Sequence, residues 1–366
     1  MRRLFFLLAL LFACRTRGTP PAPEPPPEEV ETPVMETVRQ EDLGERVNLP
    51  PAALPGGSFV VVTASGRGIV LDVNGNRREI FNVNEPPTAG PVVNGDSVIF
   101  GTFYGNLYVF DTIGNLIFKD SLPYPIRGIA VAGIPVIVCD DGRVVGYNDT
   151  GRAWVRFAGD NVQTSPSVVS GAFVITTVSG RVLAYDSSGN LLWMYDDVGT
   201  IPTNPSALDS MAVAGFPDGK VAFFTSSGYT EINLPSGVIG EITAAGGRAY
   251  ASTYSGRIFG FTPGGDIGEV YVDSLWLPSS PIPGDSGLLV LDGNGKVYFI
   301  SYDGDLVDTL RLGEGDGWTE PLVMDTLLVA VSRDGKVYVV RVSGFSLRGG
   351  WPLFRGNPHR SGTPYP

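Results

Sequence analysis

Ser165-Pro166-Ser167-Val168-Val169, Phe173 to Val178, Val182 to Tyr185 and Leu191-Leu192-Trp193-Met194 are four short apolar runs inside thirty residues. The second and third are joined by Ser179-Gly180-Arg181, the third and fourth by Asp186-Ser187-Ser188-Gly189. Glycine accepts the positive φ of tight hairpin turns, and Asp or Ser ahead of it bonds the local backbone. The four runs are therefore strands of one antiparallel meander. The third has little polar alternation, as has its counterpart Leu107-Tyr108-Val109-Phe110, so both of its faces should be buried.

The same unit recurs along the chain. Its second-to-third turn glycine appears as Gly66, Gly105, Gly142, Gly180, Gly219, Gly256, Gly295 and Gly335, at spacings of 37–40 residues. Nine positions after each stands another glycine, from Gly75 and Gly114 through to Gly344. Five positions after each turn glycine the residue is large and apolar: Leu71, Phe110, Tyr147, Tyr185, Phe224, Phe261, Ile300 and Val340. Those side chains should pack one small sheet on the next. Pro91, Pro166, Pro205, Pro281 and Pro321 fall fourteen positions before the turn, where an innermost edge strand needs no N–H. Eight four-stranded units of about 40 residues make an all-β, eight-bladed β-propeller around a channel. An open β-solenoid, the competing architecture, would leave unpaired ends that need caps.

Composition agrees. The 366 residues include 48 Gly and 30 Pro, with 43% hydrophobic and only 17% charged. A disordered chain shows the reverse balance, and a helical bundle tolerates few residues that break helices. Lys and Arg number 26 against 38 Asp and Glu, a net charge of −12 with no basic stripe, which argues against nucleic acid as a partner.

The first residues read as an address. Arg2 and Arg3 precede the ten apolar residues Leu4 to Ala13, too short to span a bilayer and suited to a signal peptide at 1–13. Leu11-Phe12-Ala13-Cys14 resembles a bacterial lipobox, which would make Cys14 the lipidated first residue of the exported protein; an ordinary secretory signal is the alternative. Thr19 to Pro33 holds seven prolines and four glutamates, so 14–44 is expected to be an extended tether. The propeller is then expected at 45–354 and a C-terminal tail at 355–366. The last unit has only Phe345 to Leu347 where its fourth strand belongs. Either residues 345–354 or a strand near Glu45 to Leu49 should close the ring.

Chemistry is sparse. The single histidine, His359, lies in a Pro/Gly-rich tail and is not read as a catalytic base. Cys139 has no free thiol to pair with if Cys14 is acylated, and is expected to be a buried core thiol. Asp72-Val73-Asn74-Gly75-Asn76 and Asp292-Gly293-Asn294-Gly295 look like calcium-loop fragments. The first has Arg77 and Val83 where an EF-hand needs Gly and Glu, so no metal is expected. Glu314, Asp316 and Glu320 are read as solvated turn charges. The position just before the inner-strand proline carries Arg127, Asn204, Glu241 and Glu320 in units three, five, six and eight. These four are the candidate partner contacts at a channel mouth. Catalysis by Glu241 and Glu320 is disfavoured, because units six and eight are not neighbours.

The unit at 165–193, with Gly180-Arg181-Val182-Leu183-Ala184-Tyr185-Asp186 at its centre, resembles the repeat of PQQ-like propellers, and Ala184 to Trp193 is similar to their tryptophan-docking segment. Trp351-Pro352-Leu353-Phe354-Arg355-Gly356-Asn357-Pro358-His359-Arg360-Ser361-Gly362 resembles a motif flanking the propeller in non-catalytic members. The resemblance covers roughly residues 46–362 and, with the lipobox, points to the BamB-like lipoprotein branch of outer-membrane β-barrel assembly. It implies a scaffold for protein partners in the envelope, monomeric, attached to a membrane through the N-terminal lipid alone. The adjacent-cysteine disulfide of the quinone-dependent members is missing, and one unit in eight keeps the docking tryptophan, so Trp193 is read as packing and no cofactor is expected. Short connections likewise argue against an enzyme. The alternatives are a carbohydrate or small-ligand binder, or a divergent hydrolase or lyase working in the funnel.

Overall fold

The computed structural model describes residues 35–363 apart from 201, 272–274, 277, 352, 354 and 358. The signal peptide, Cys14 and most of the expected tether lie outside the described residues. Eight antiparallel sheets follow one another as the blades of an all-β propeller. Blade 4 runs Ser167–Val169, Ala172–Thr176, Val182–Tyr185 and Leu191–Tyr195, hydrogen-bonded in that order. Blades 1, 2, 3, 5, 6 and 7 repeat this meander, their innermost strands being Ala52–Ala53, Pro87–Asn94, Ile126–Ala132, Ser206–Leu208, Val238–Ala245 and Ile282–Pro283.

Burial grades outward across each blade. In blade 4 the inner three strands are wholly buried, whereas Leu191–Tyr195 is mostly exposed. The residue five positions after each turn glycine is at most 7% exposed in all eight blades, so these side chains form the layer between sheets. Trp193 stacks on Phe224 of blade 5 at 6.5 Å, an inter-blade contact. Gly105 shows why the turn position admits no other residue: φ is +80°, and a Cβ there would collide with the Leu122 carbonyl oxygen of the incoming connection.

The calcium-like fragments are turn locks. Asp72 Oδ1 accepts the N–H groups of Asn74 and Asn76, and its Oδ2 accepts the Asn76 amide. Asp111 and Asp186 repeat the arrangement with Asn115 and Asn190. Asp292 likewise caps Asn294 and Lys296.

Ring closure differs from both expected routes. The fourth strand of blade 8 is Met35–Asp42, paired antiparallel with Lys336–Val342 from Met35↔Val342 to Asp42↔Lys336. Its sequence gives no apolar signal because outer strands need none: of its eight residues Met35 alone is buried, and the backbone ladder supplies the pairing. Residues 45–49 form no strand, and Gly350–Trp351 instead adds to the inner edge of blade 6 opposite Ala244 and Ala245.

Cys139 is fully buried, and that burial, reinforced by the charge of Asp141, pushes its thiol up to about 12. In a Cys14→Ser background, a thiol reagent at pH 8 should therefore leave the native protein unlabelled and modify one thiol per chain after denaturation. Stoichiometric labelling of the native protein would contradict this packing.

Candidate functional site

The inner strands are stitched blade to blade by hydroxyls. Thr88 donates to the Ile126 carbonyl, Ser167 to Pro205, Ser206 to Ile242 and Thr243 to Pro281, all at 2.5–2.6 Å. This sets the radius and height of the four candidate residues.

Three of the four join one arc of hydrogen bonds inside the channel, from blade 4 to blade 8. The Ser165 N–H donates to Asn204 Oδ1 at 2.8 Å, and Asn204 Nδ2 donates to Glu241 Oε2 at 3.1 Å. The Glu241 N–H donates to Ser280 Oγ at 2.8 Å, and the Ser280 N–H donates to Glu320 Oε2 at 3.1 Å. Glu241 is wholly buried, so it lies beneath the mouth rather than on it. Arg127 stands apart, its Nε donating to Asp140 at 2.7 Å with a third of its side chain exposed.

The residues that sequence reasoning missed are in the C-terminal segment. The described residues of the stretch 355–362 fold back into the channel instead of leaving it as a tail. His359, Ser361 and Gly362 present their carbonyls to the N–H groups of Val93, Val131 and Val168, on the inner strands of blades 2, 3 and 4. Arg355 is buried, its N–H donating to Glu241 Oε1 at 3.0 Å and its guanidinium to the carbonyls of Pro166 and Ile129. Arg360 is buried on the other side, donating to the carbonyls of Pro51 at 3.0 Å and Pro321 at 2.7 Å. His359 Nδ1 reaches the Ala53 carbonyl at 3.0 Å, which accounts for the lone histidine without chemistry. Arg355 and Arg360 have φ of 66° and 59°, a strained region for a side chain, held by these buried contacts.

Burial lowers both arginines to about 10, against the carboxylates of Glu241 and Glu320, so both remain charged at neutral pH. Burial also raises Glu320, opposed by the Ser280 N–H and the Arg360 charge. Each buried arginine thus faces one of the two carboxyl groups.

Above this floor lies a cavity of about 630 Å³. Arg127, Gln163 and Ser165 line one side, with Trp276, Asp292, Trp318 and Arg333 also on its wall. Apart from Arg127, at the start of blade 3's inner strand, these residues belong to the connections between blades and to second-to-third turns, so the cavity opens on that face of the disc. The C-terminal segment closes the opposite end. On the open face Phe103, Tyr104, Tyr124 and Phe157 are 45–64% exposed. Arg143 lies 5.1 Å from the Tyr124 ring and 5.2 Å from that of Phe157, and Phe103 packs edge-on to Tyr104. Among the described residues no group of three or more His, Cys, Asp or Glu is placed to hold a metal.

Residues 125–262, blade 3 to blade 6, match the family model described as outer membrane protein assembly factor BamB. The repeat is thus similar to the PQQ-like repeats of the BamB-like branch. BamB of Salmonella typhimurium is 24% identical over 200 residues, covering 49% of this chain and 50% of that protein, and BamB of Escherichia coli K12 matches to the same extent. The chain thus spans about half the length of the curated relatives it matches. Among solved structures, BamB from Moraxella catarrhalis superposes with a TM-score of 0.68 at 19% identity over 85% of this chain and 98% of that one. The designed protein Ika8 gives 0.73 at 16% identity over 82% and 98%, and Sqt1 of Saccharomyces cerevisiae 0.70 at 11% over 84% and 98%. At these identities the superpositions speak for the fold alone.

Proposed function

We propose that this chain is a non-enzymatic docking scaffold of the cell envelope, working in outer-membrane protein assembly as the name of its BamB relatives describes. The observation that carries the proposal is the aromatic patch around Arg143. Tyr, Phe and Arg are the residue types over-represented where binding energy concentrates, and exposed apolar patches on soluble domains mark contact sites. The patch lies on the open face, partly within the segment that matches the BamB family model. Arg127 adds a partly exposed cation, paired with Asp140, beside the mouth, whereas Asn204, Glu241 and Glu320 shape the floor beneath it and act on a partner only through that shape.

Attachment rests on Cys14. Acylation there would tether the monomeric propeller extracytoplasmically through its lipid, and Arg15 rather than Asp after the cysteine favours the outer membrane. Fractionation tests this: Cys14→Ala should move the protein from the membrane to the soluble envelope fraction. Retention in the membrane like the wild type would refute lipid anchoring.

The docking reading is tested by capturing envelope proteins on the intact chain. Tyr104→Glu with Phe157→Glu should abolish capture while leaving the melting temperature unchanged, since both rings are exposed. Arg127→Glu should weaken capture at low salt and matter less at high salt, as rim charges act mainly on association rate. Capture that survives the double substitution would remove this face as the docking surface.

A further inference from the structure

We propose that the funnel on the open face is itself a binding site, and that its ligand is a short, uncharged oligosaccharide. The cavity of about 630 Å³ lies within the roughly 300–1,000 Å³ of small-molecule sites. Its opposite walls differ in chemistry. In an eight-membered ring blade 7 faces blade 3, and blade 8 faces blade 4. The connections into blades 7 and 8 contribute Trp276 and Trp318. The facing wall contributes Arg127, Gln163 and Ser165, with Asn204 and Glu320 at the floor.

Trp276 is 60% exposed although it lines a cavity, so a large apolar ring is kept in water beside fixed hydrogen-bonding groups. A pyranose matches this division. Its C–H face covers an indole, and its hydroxyls, both donors and acceptors, meet the guanidinium, amide and carboxylate groups of the facing wall and the floor.

Other ligand classes fit less well. Of the cations lining the cavity, Arg127 is paired with Asp140 and the floor arginines face Glu241 and Glu320, so a phosphate would depend on Arg333 alone. A wholly apolar ligand would strip water from Gln163, Asn204 and Glu320 without replacing their hydrogen bonds. A peptide adding as a strand would need free inner-strand N–H groups, and those of Val93, Val131 and Val168 are taken by the C-terminal segment.

The test uses the full chain with maltotriose, cellotriose and tri-N-acetylchitotriose as probes. It reads tryptophan emission and saturation transfer from protein to sugar. At least one sugar should give a saturable response below about 10 mM, the weak range of such sites. Trp276→Ala should weaken that sugar about tenfold, the effect of losing one stacked ring. Gln163→Ala should weaken it by a smaller factor, and the melting temperature should be unchanged in both. The proposal is overturned if none of the three sugars saturates, or if binding is indifferent to both substitutions. It is overturned equally if inorganic phosphate binds in the funnel and the sugars do not.

Discussion

Arg360→Met should lower the melting temperature by roughly 4–7 °C, the largest effect we expect of a single substitution in this protein. The guanidinium is fully buried and supplies donors to the carbonyls of Pro51 and Pro321 while its charge faces Glu320. Methionine fills similar volume but leaves those carbonyls without a donor and Glu320 without its counter-charge. Breaking a buried pair in this way costs about 3–5 kcal/mol, and with an unfolding entropy of about 2.1 cal/mol/K per residue a domain this large loses roughly 1.4 °C per kcal/mol.

Two companions separate charge from packing. Glu320→Gln in the Arg360→Met background should recover part of the loss, because the orphaned carboxylate is then neutral. Arg360→Lys keeps the charge without the planar fork and should fall between. The pH dependence has a definite sign. Burial already raises Glu320 above its ordinary value of 4.5, so the native state holds its proton longer than the unfolded chain. Stability from this group is therefore lost as pH rises from about 4.5 through the folded value. Without Arg360 that folded value climbs further, so the single variant should be destabilised more at pH 8 than at pH 5. Thermal melts across that range check both points, and equal losses at the two pH values would contradict the charge assignment.

Deleting residues 35–42 from the full chain should make the protein associate in a concentration-dependent way. The deletion bares the edge of Lys336–Val342, a strand of seven residues with five buried apolar side chains. An unpaired apolar edge recruits another chain's strand. Light scattering after size exclusion should show the association, and a peptide of residues 35–42 added in excess should reverse it by refilling the register. A deleted protein that stays monomeric with an unchanged melt would mean that blade 8 does not need this strand.

The contrast between the visible and the hidden parts of this fold has a physical basis. The blades were legible because hairpin turns demand glycine at a fixed phase, and because the third strand is buried on both faces. Met35–Asp42 was hidden because an outer strand is held by main-chain bonds, so Glu36, Arg39 and Glu41 read as tether. Residues 355–362 were hidden for a related reason. Two arginines in a Pro/Gly-rich stretch read as solvated tail, and only their fixed contacts with carbonyls and buried carboxylates make burial tolerable. The repeat phase correctly grouped Asn204, Glu241 and Glu320, since equivalent positions share a radius. It carried no information on depth, which the returning segment decides.

The ring is fastened twice, and both fasteners join residues far apart in the chain. Arg341 bonds Glu36 across 305 positions, and Arg360 bonds Pro51 across 309. Most blades are closed by neighbouring hairpins and packed by the blades next to them in the chain, whereas these two fasteners must wait for a search through the loop entropy of some 300 residues. Because that entropy grows only logarithmically, at about 0.6 kcal/mol per doubling, distance delays the fasteners far more than it weakens them. The open horseshoe should accordingly be the long-lived folding intermediate. Opening should begin where the chain closed last, so the lifetime of the native ring is set by Met35–Asp42 and the buried arginines rather than by the apolar layers between blades.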